Sequence, residues 1–155
     1  MSDGVEVLDV DGADVVFIRI KADIKDIPWQ INQIHELLRE HIEGKGMEAN
    51  GQKYAAYHCL DTGSFDIEVG ITTSKPVEGV EGISSGRIAA GKALQAKYIG
   101  AHIPVIMTYN YLNRWMDENG YIADGPRYEF YDGEYFDPAD SHMTTTVRIP
   151  VEKVG

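Results

Sequence analysis

One phrase occurs twice in this chain. Ala49-Asn50-Gly51-Gln52-Lys53-Tyr54-Ala55-Ala56-Tyr57 returns 74 residues later as Ala123-Asp124-Gly125-Pro126-Arg127-Tyr128-Glu129-Phe130-Tyr131. Each copy reads Ala, Asn or Asp, Gly, a variable residue, Lys or Arg, Tyr, two variable residues and Tyr. The same offset carries Gly46 onto Gly120, Pro76 onto Pro150 and Val77 onto Val151. Such regularity marks a duplication. Two copies within 155 residues leave each unit about 75 residues long, marginal alone and dependent on packing against its twin.

Hydrophobic periodicity fills in the units. Val5–Val10 and Val15–Ile20 are β-branched runs flanking Asp11-Gly12-Ala13-Asp14, which predicts a hairpin. Ile31, Ile34, Leu38 and Ile42 recur at helical steps between Pro28 and Glu43, with Gly44 or Gly46 as the stop. Lys53–Leu60 and Phe65–Thr73 then read as paired strands around Asp61-Thr62-Gly63-Ser64. The second half repeats the order with a strand over Ile88–Ile99, a helix over Pro104–Asn119, and strands at Tyr128–Tyr131 and Thr144–Val151. The expected fold class is α+β: two βαββ units forming a pseudo-twofold antiparallel sheet, with two helices packed on it and a central ligand cleft. The chain is read as one domain over 1–155, with pseudo-repeats at about 5–77 and 87–151 and a connector at about 78–86.

The copies differ where the phrase is otherwise most regular. The first has Ala55 where the second has Glu129. Strand residues alternate faces, so Glu129 shares a side with Tyr131 and is opposed in direction to Tyr128 and Phe130. Tyr57 is the counterpart of Tyr131. The expectation is a pocket with two tyrosines and a single glutamate.

Composition excludes several functions. A net charge of −11 argues against direct nucleic-acid binding, which rests on Lys and Arg at phosphates. One cysteine, Cys59, permits no internal disulfide. No apolar stretch approaches membrane-spanning length, and a cytoplasmic location is the default expectation. The five histidines lack ligand spacing, and no metal or other cofactor is expected. His58-Cys59 are neighbours on a strand and point apart, which speaks against a thiol dyad. Gly86-Arg87-Ile88-Ala89-Ala90-Gly91-Lys92-Ala93 nearly spells a phosphate-binding loop, but ends in Ala93, without a hydroxyl, and runs into a strand rather than a helix.

The aromatic residues supply the remaining candidates. Trp29, Tyr109 and Trp115 lie on the expected helices and Tyr98 near a strand end; singly each reads as packing, together they allow an aromatic cleft between the halves.

The duplicated unit, Gly120-Tyr121 after a Trp-bearing helix, the Gly125–Tyr131 phrase and the closing Thr146-Val147-Arg148-Ile149-Pro150-Val151 resemble the GyrI-like (gyrase-inhibitor-like) small-molecule-binding family, whose domains also form effector-binding parts of MerR-type and AraC-type multidrug regulators. The resemblance implies a ligand-facing glutamate at Glu129, with Tyr131 beside it and Tyr57 as the matching tyrosine of the first repeat; Trp115, Tyr109, Tyr98 and Trp29 are the aromatic candidates to line the same site. It implies a lipophilic, aromatic, often cationic small-molecule ligand. Two other functions follow from the same resemblance: hydrolysis of cyclopropane-bearing alkylators with Glu129 as catalytic base, and inhibition of gyrase as a protein partner. The chain shows no helix-turn-helix and is expected to act as a stand-alone module.

Overall fold

The structure is a computed structural model that describes residues 5–61, 64–99, 105–132, 137, 139 and 142–154, with the side chains of 24, 59–61, 98 and 105–109 left out. Its elements run β1 (Val5–Val10), β2 (Ala13–Ala22), a 3-10 turn (Ile24–Asp26), α1 (Ile27–Gly44), β3 (Lys53–Asp61), β4 (Ser64–Thr73), β5 (Ser84–Ile88), β6 (Gly91–Ile99), α2 (Val105–Asn119), β7 (Tyr121–Ala123), β8 (Arg127–Tyr131) and β9 (Thr144–Lys153). Two helices therefore accompany a strongly curled antiparallel sheet, the α+β arrangement anticipated from the sequence.

The strands lie in the order β1-β6-β9-β8-β3-β4-β2-β5, with β7 pairing β9. This order is a palindrome of the two repeats: β8 and β3 meet at the centre, β9 and β4 flank them, β6 and β2 come next, and β1 and β5 close the edges. The register is as symmetric as the order. Ala55 faces Glu129, Tyr57 faces Arg127 and Lys53 faces Tyr131, so the pseudo-twofold axis passes through the Ala55–Glu129 pair itself.

The 74-residue offset holds only at this centre. Ala55 faces Val69, whereas Glu129 faces Val147, so the outer strands correspond at an offset of 78. Pro150, which faces Ala93 inside β9, is thus the counterpart of Thr72 and not of Pro76, which lies beyond β4. The longer loop between β8 and β9 holds the additional residues. A second correction concerns the expected hairpin. Chain β1 does not pair with β2; it pairs with β6, Val5 against Ala96, while β5 pairs with β2, Phe17 against Ser84. Each repeat's leading strand is exchanged onto the other repeat, an arrangement that local periodicity cannot reveal. The stretch expected as connector carries most of β5, and the strand expected over Ile88–Ile99 is broken at Ala89-Ala90.

Helix α1 forms where Ile31, Ile34, Leu38 and Ile42 make one apolar stripe, all buried, with Pro28 in the first turn, where its missing N–H costs nothing. Gly46 ends it at φ 79°, and Gly120 ends α2 at φ 78°, the left-handed region that favours glycine. The helices cover one side of the sheet. Their Ile31, Leu38, Leu112 and Met116 share one buried cluster with Ala55, Tyr57, Ile67, Val69, Tyr131, Val147 and Ile149. The opposite side carries a second cluster of Val15, Tyr54, Ala56, Ile88, Tyr128 and Phe130. There Tyr54 lies across Gly70, where an added Cβ would sit 2.5 Å from the ring. None of the described helices is long and apolar enough to cross a membrane.

Candidate functional site

Glu129 sits in the middle of β8, on the side of the sheet covered by the helices, and is 2% exposed. Its opposite number is only a methyl group, Ala55. Cβ atoms of directly paired residues stand about 5 Å apart, so a larger side chain at 55 would compete with the carboxylate for the same volume. The substitution that distinguishes the repeats is what admits a buried acid at the axis.

A buried carboxylate requires hydrogen-bond donors. The Tyr131 hydroxyl donates to Glu129 Oε1 at 2.7 Å, and Tyr57 is hydrogen-bonded to Tyr131 in turn. Burial pushes both phenols well above their ordinary range, and the neighbouring Glu129 charge adds to it. They remain neutral donors throughout the physiological range. The result is a chain of two hydroxyls ending on a carboxylate, assembled from the equivalent tyrosines of the two repeats.

The structure therefore brings together Glu129, Tyr131 and Tyr57. Trp115 packs at the margin of the helix-side cluster and stacks on Tyr121 with ring centroids 6.0 Å apart. Trp29 projects from α1 and is 55% exposed, outside the buried group. The side chains of Tyr98 and Tyr109 lie outside the described residues.

Sequence reading missed the polar residues of the opposite face. His58 Nε2 lies 3.0 Å from Glu68 Oε1, and the Tyr54 hydroxyl donates to Glu68 Oε2. The only signal in the sequence was the repeated Tyr54 and Tyr128; Glu68 joins them because it faces Ala56 on β3, between Tyr54 and the register shift at His58. His35, on α1, is buried with Nε2 3.2 Å from the Tyr54 carbonyl and 3.1 Å from that of Gly70. Burial lowers its pKa to about 4, so it is a neutral donor that pins the helix to the sheet.

A family model for the GyrI-like small molecule binding domain matches residues 4–152. The chain belongs to this family. Solved structures agree on the fold. The EcmrR C-terminal domain is 22% identical with a TM-score of 0.76, over 97% of this chain and 98% of that one. In the EcmrR–DNA complex, 21% identical with a TM-score of 0.83, 97% of this GyrI-like chain spans 57% of the EcmrR chain. A hydrolase from Listeria innocua is 14% identical with a TM-score of 0.67, over 96% and 91% of the two chains. SAV2435, solved bound to tetraphenylphosphonium, is 13% identical with a TM-score of 0.61, over 96% and 93%. No curated protein matches this GyrI-like domain.

Proposed function

We propose that this GyrI-like domain binds lipophilic, aromatic cations on the helix side of the sheet, with the Glu129 carboxylate as the counter-charge and Tyr57 and Tyr131 holding that carboxylate in place. Trp115, Trp29, Tyr98 and Tyr109 are proposed as the surrounding aromatic contacts. The observation that carries the reading is the burial of Glu129 at the pseudo-twofold axis. Desolvating a carboxylate is expensive unless something is gained from it, and a cation arriving in a low-dielectric site is attracted far more strongly than in water. The neutral tyrosines hold the acid without cancelling its charge. The fold-level likeness to SAV2435, which was solved with a lipophilic phosphonium cation, fits this class of ligand.

The test is titration of wild type and Glu129→Gln with tetraphenylphosphonium and with neutral triphenylphosphine oxide, followed by calorimetry. Gln keeps the shape and an oxygen to accept from Tyr131. The expected outcome is at least a tenfold weaker Kd for the cation in the variant, about 1.4 kcal/mol, and little change for the oxide. Equal affinity of both proteins for the cation would sink the proposal.

A further inference from the structure

A cavity lies on the face of the sheet away from the helices and from Glu129. It measures about 180 Å³ and is lined by Ile88–Ala93, Asp124–Pro126, Tyr128, Arg148 and Pro150, among others. The stretch that nearly spells a phosphate loop therefore does line a cavity, although as the bend between β5 and β6 and not as a strand–helix junction.

The walls have a specific chemistry. Ile88, Ala93, Pro126, Pro150 and Val151 make them largely apolar. Cavities of about 150 Å³ already accept a benzene ring, so the space suits one ring or an aliphatic body of similar bulk. Of the charged residues in the lining, Lys92 and Asp124 are exposed and of opposite sign, which leaves the balance to Arg148.

Arg148 is the unusual residue. Its Nε and one Nη donate to the same neutral oxygen, Gln95 Oε1, at 3.2 and 2.9 Å, and the guanidinium lies 4.7 Å from the Phe130 ring centre. It forms no ion pair with a carboxylate of the described residues, in a chain with 25 acidic residues. Arginines taken partly out of water are ordinarily matched to carboxylates or phosphates, which their fork fits. Gln95 instead orients this one, being fixed itself by its Nε2 donating to Glu6 Oε1 at 3.4 Å. The fork is positioned and its charge is not matched. Beside it lies Tyr128, whose ring is buried in the same lining.

We infer that this cavity is a second small-molecule site, which takes small carboxylic acids with an aromatic or apolar body, the carboxylate on Arg148 and the body between Ile88, Pro126 and Pro150. A carboxylate supplies the planar two-oxygen acceptor that a guanidinium prefers, and the apolar body removes the Ile88, Pro126 and Pro150 surfaces from water. The two sites differ in sign: Glu129 faces one side of the central strands with a negative charge, and Arg148 faces the other with a positive one.

The experiment is a titration of the full chain with sodium benzoate, and in parallel with benzamide, followed by amide chemical shifts in ¹H–¹⁵N spectra. Wild type, Arg148→Gln and Ala90→Trp are compared; Ala90 is exposed at the cavity, so a tryptophan there fills the space without disturbing the core. Benzoate is expected to shift the amides of Ala89, Ala90 and Gly125 saturably. Its Kd is expected to rise at least tenfold in Arg148→Gln, the shifts are expected to vanish in Ala90→Trp, and benzamide is expected to bind at least tenfold more weakly than benzoate to wild type. The inference is overturned by the absence of saturable benzoate shifts, by equal binding of benzamide, or by unchanged binding in a folded Arg148→Gln. Should Arg148→Gln fail to fold, undiminished benzoate binding in Ala90→Trp overturns it alone.

Discussion

The two repeats place their strands in the same symmetric order, yet opposite members of equivalent pairs carry unlike chemistry. Ala55 stands where Glu129 stands, and Gly70, which makes room for the Tyr54 ring, stands where Arg148 stands. These two charged residues of the second repeat are thus each matched by a small one in the first. At the axis this is a steric necessity, because the two equivalent positions are neighbours and compete for one volume. The first repeat supplies space and the second supplies charge. Duplication provides a symmetric scaffold, and the loss of symmetry at the central strands sets Glu129 and Arg148 apart from their counterparts.

The most severe way to break this contrast is to restore the symmetry. Ala55→Glu places a second carboxylate directly against Glu129 in a buried position, which is expected to cost about 3 to 5 kcal/mol at pH 8. One acid of the pair must then hold its proton to a higher pH than an unfolded glutamate does. Its protonation favours the fold, so the loss is smallest at pH 4 and grows as pH rises through the raised pKa. Urea denaturation of the variant and wild type at both pH values checks the sign.

A second contrast lies in the helices, since α1 carries the buried His35 and α2 has no histidine. The folded pKa of His35 is about 4, against 6.5 ordinarily, so the unfolded chain takes up a proton first. The contribution is present in full above pH 6.5 and is lost as pH falls to 4, about 3 kcal/mol in total. Denaturation midpoints across that window should lose this slope in His35→Gln, which keeps a donor but does not titrate. An unchanged slope would assign the acid sensitivity elsewhere.

The smallest effects should show where the repeats remain alike. Gly46 and Gly120 end their helices at nearly the same φ, and neither has an obstructing atom closer than 3.8 Å. Alanine at each is expected to cost about 1 kcal/mol, by the left-handed backbone alone. Equal costs, read from urea midpoints, would show the scaffold to be energetically symmetric; a large inequality would show that one half bears more of the stability.

Much of this was legible in the residues. The repeated phrase singled out Ala55 and Glu129 as the position where the copies differ, and the structure sets the two face to face. Alternation along β8 put Glu129 and Tyr131 on one side. Helix α1 followed from its apolar stripe and its glycine stop. What could not be read was pairing at a distance: β1 finds β6 across most of the chain, and Arg148 acquires its meaning from Gln95 and Glu6, which come from two other strands. Near-identity to a phosphate loop drew attention to residues 86–93 for a chemistry they do not support, while the cavity there depends on Pro126, Arg148 and Pro150 from elsewhere.

The exchange of β1 and β5 also has a consequence for how the protein is made. Val5 pairs with Ala96 and Val10 with Gly91, so during synthesis β1 emerges with no partner and waits until β6 has left the ribosome. Contacts so distant in sequence close late and slow the folding of a domain. The first repeat, for its part, cannot cover the edge of β2 until β5 arrives from beyond it. The halves do not mature in turn and then dock; each holds the other's last strand, and the sheet is completed on both edges only when nearly all of the chain is free.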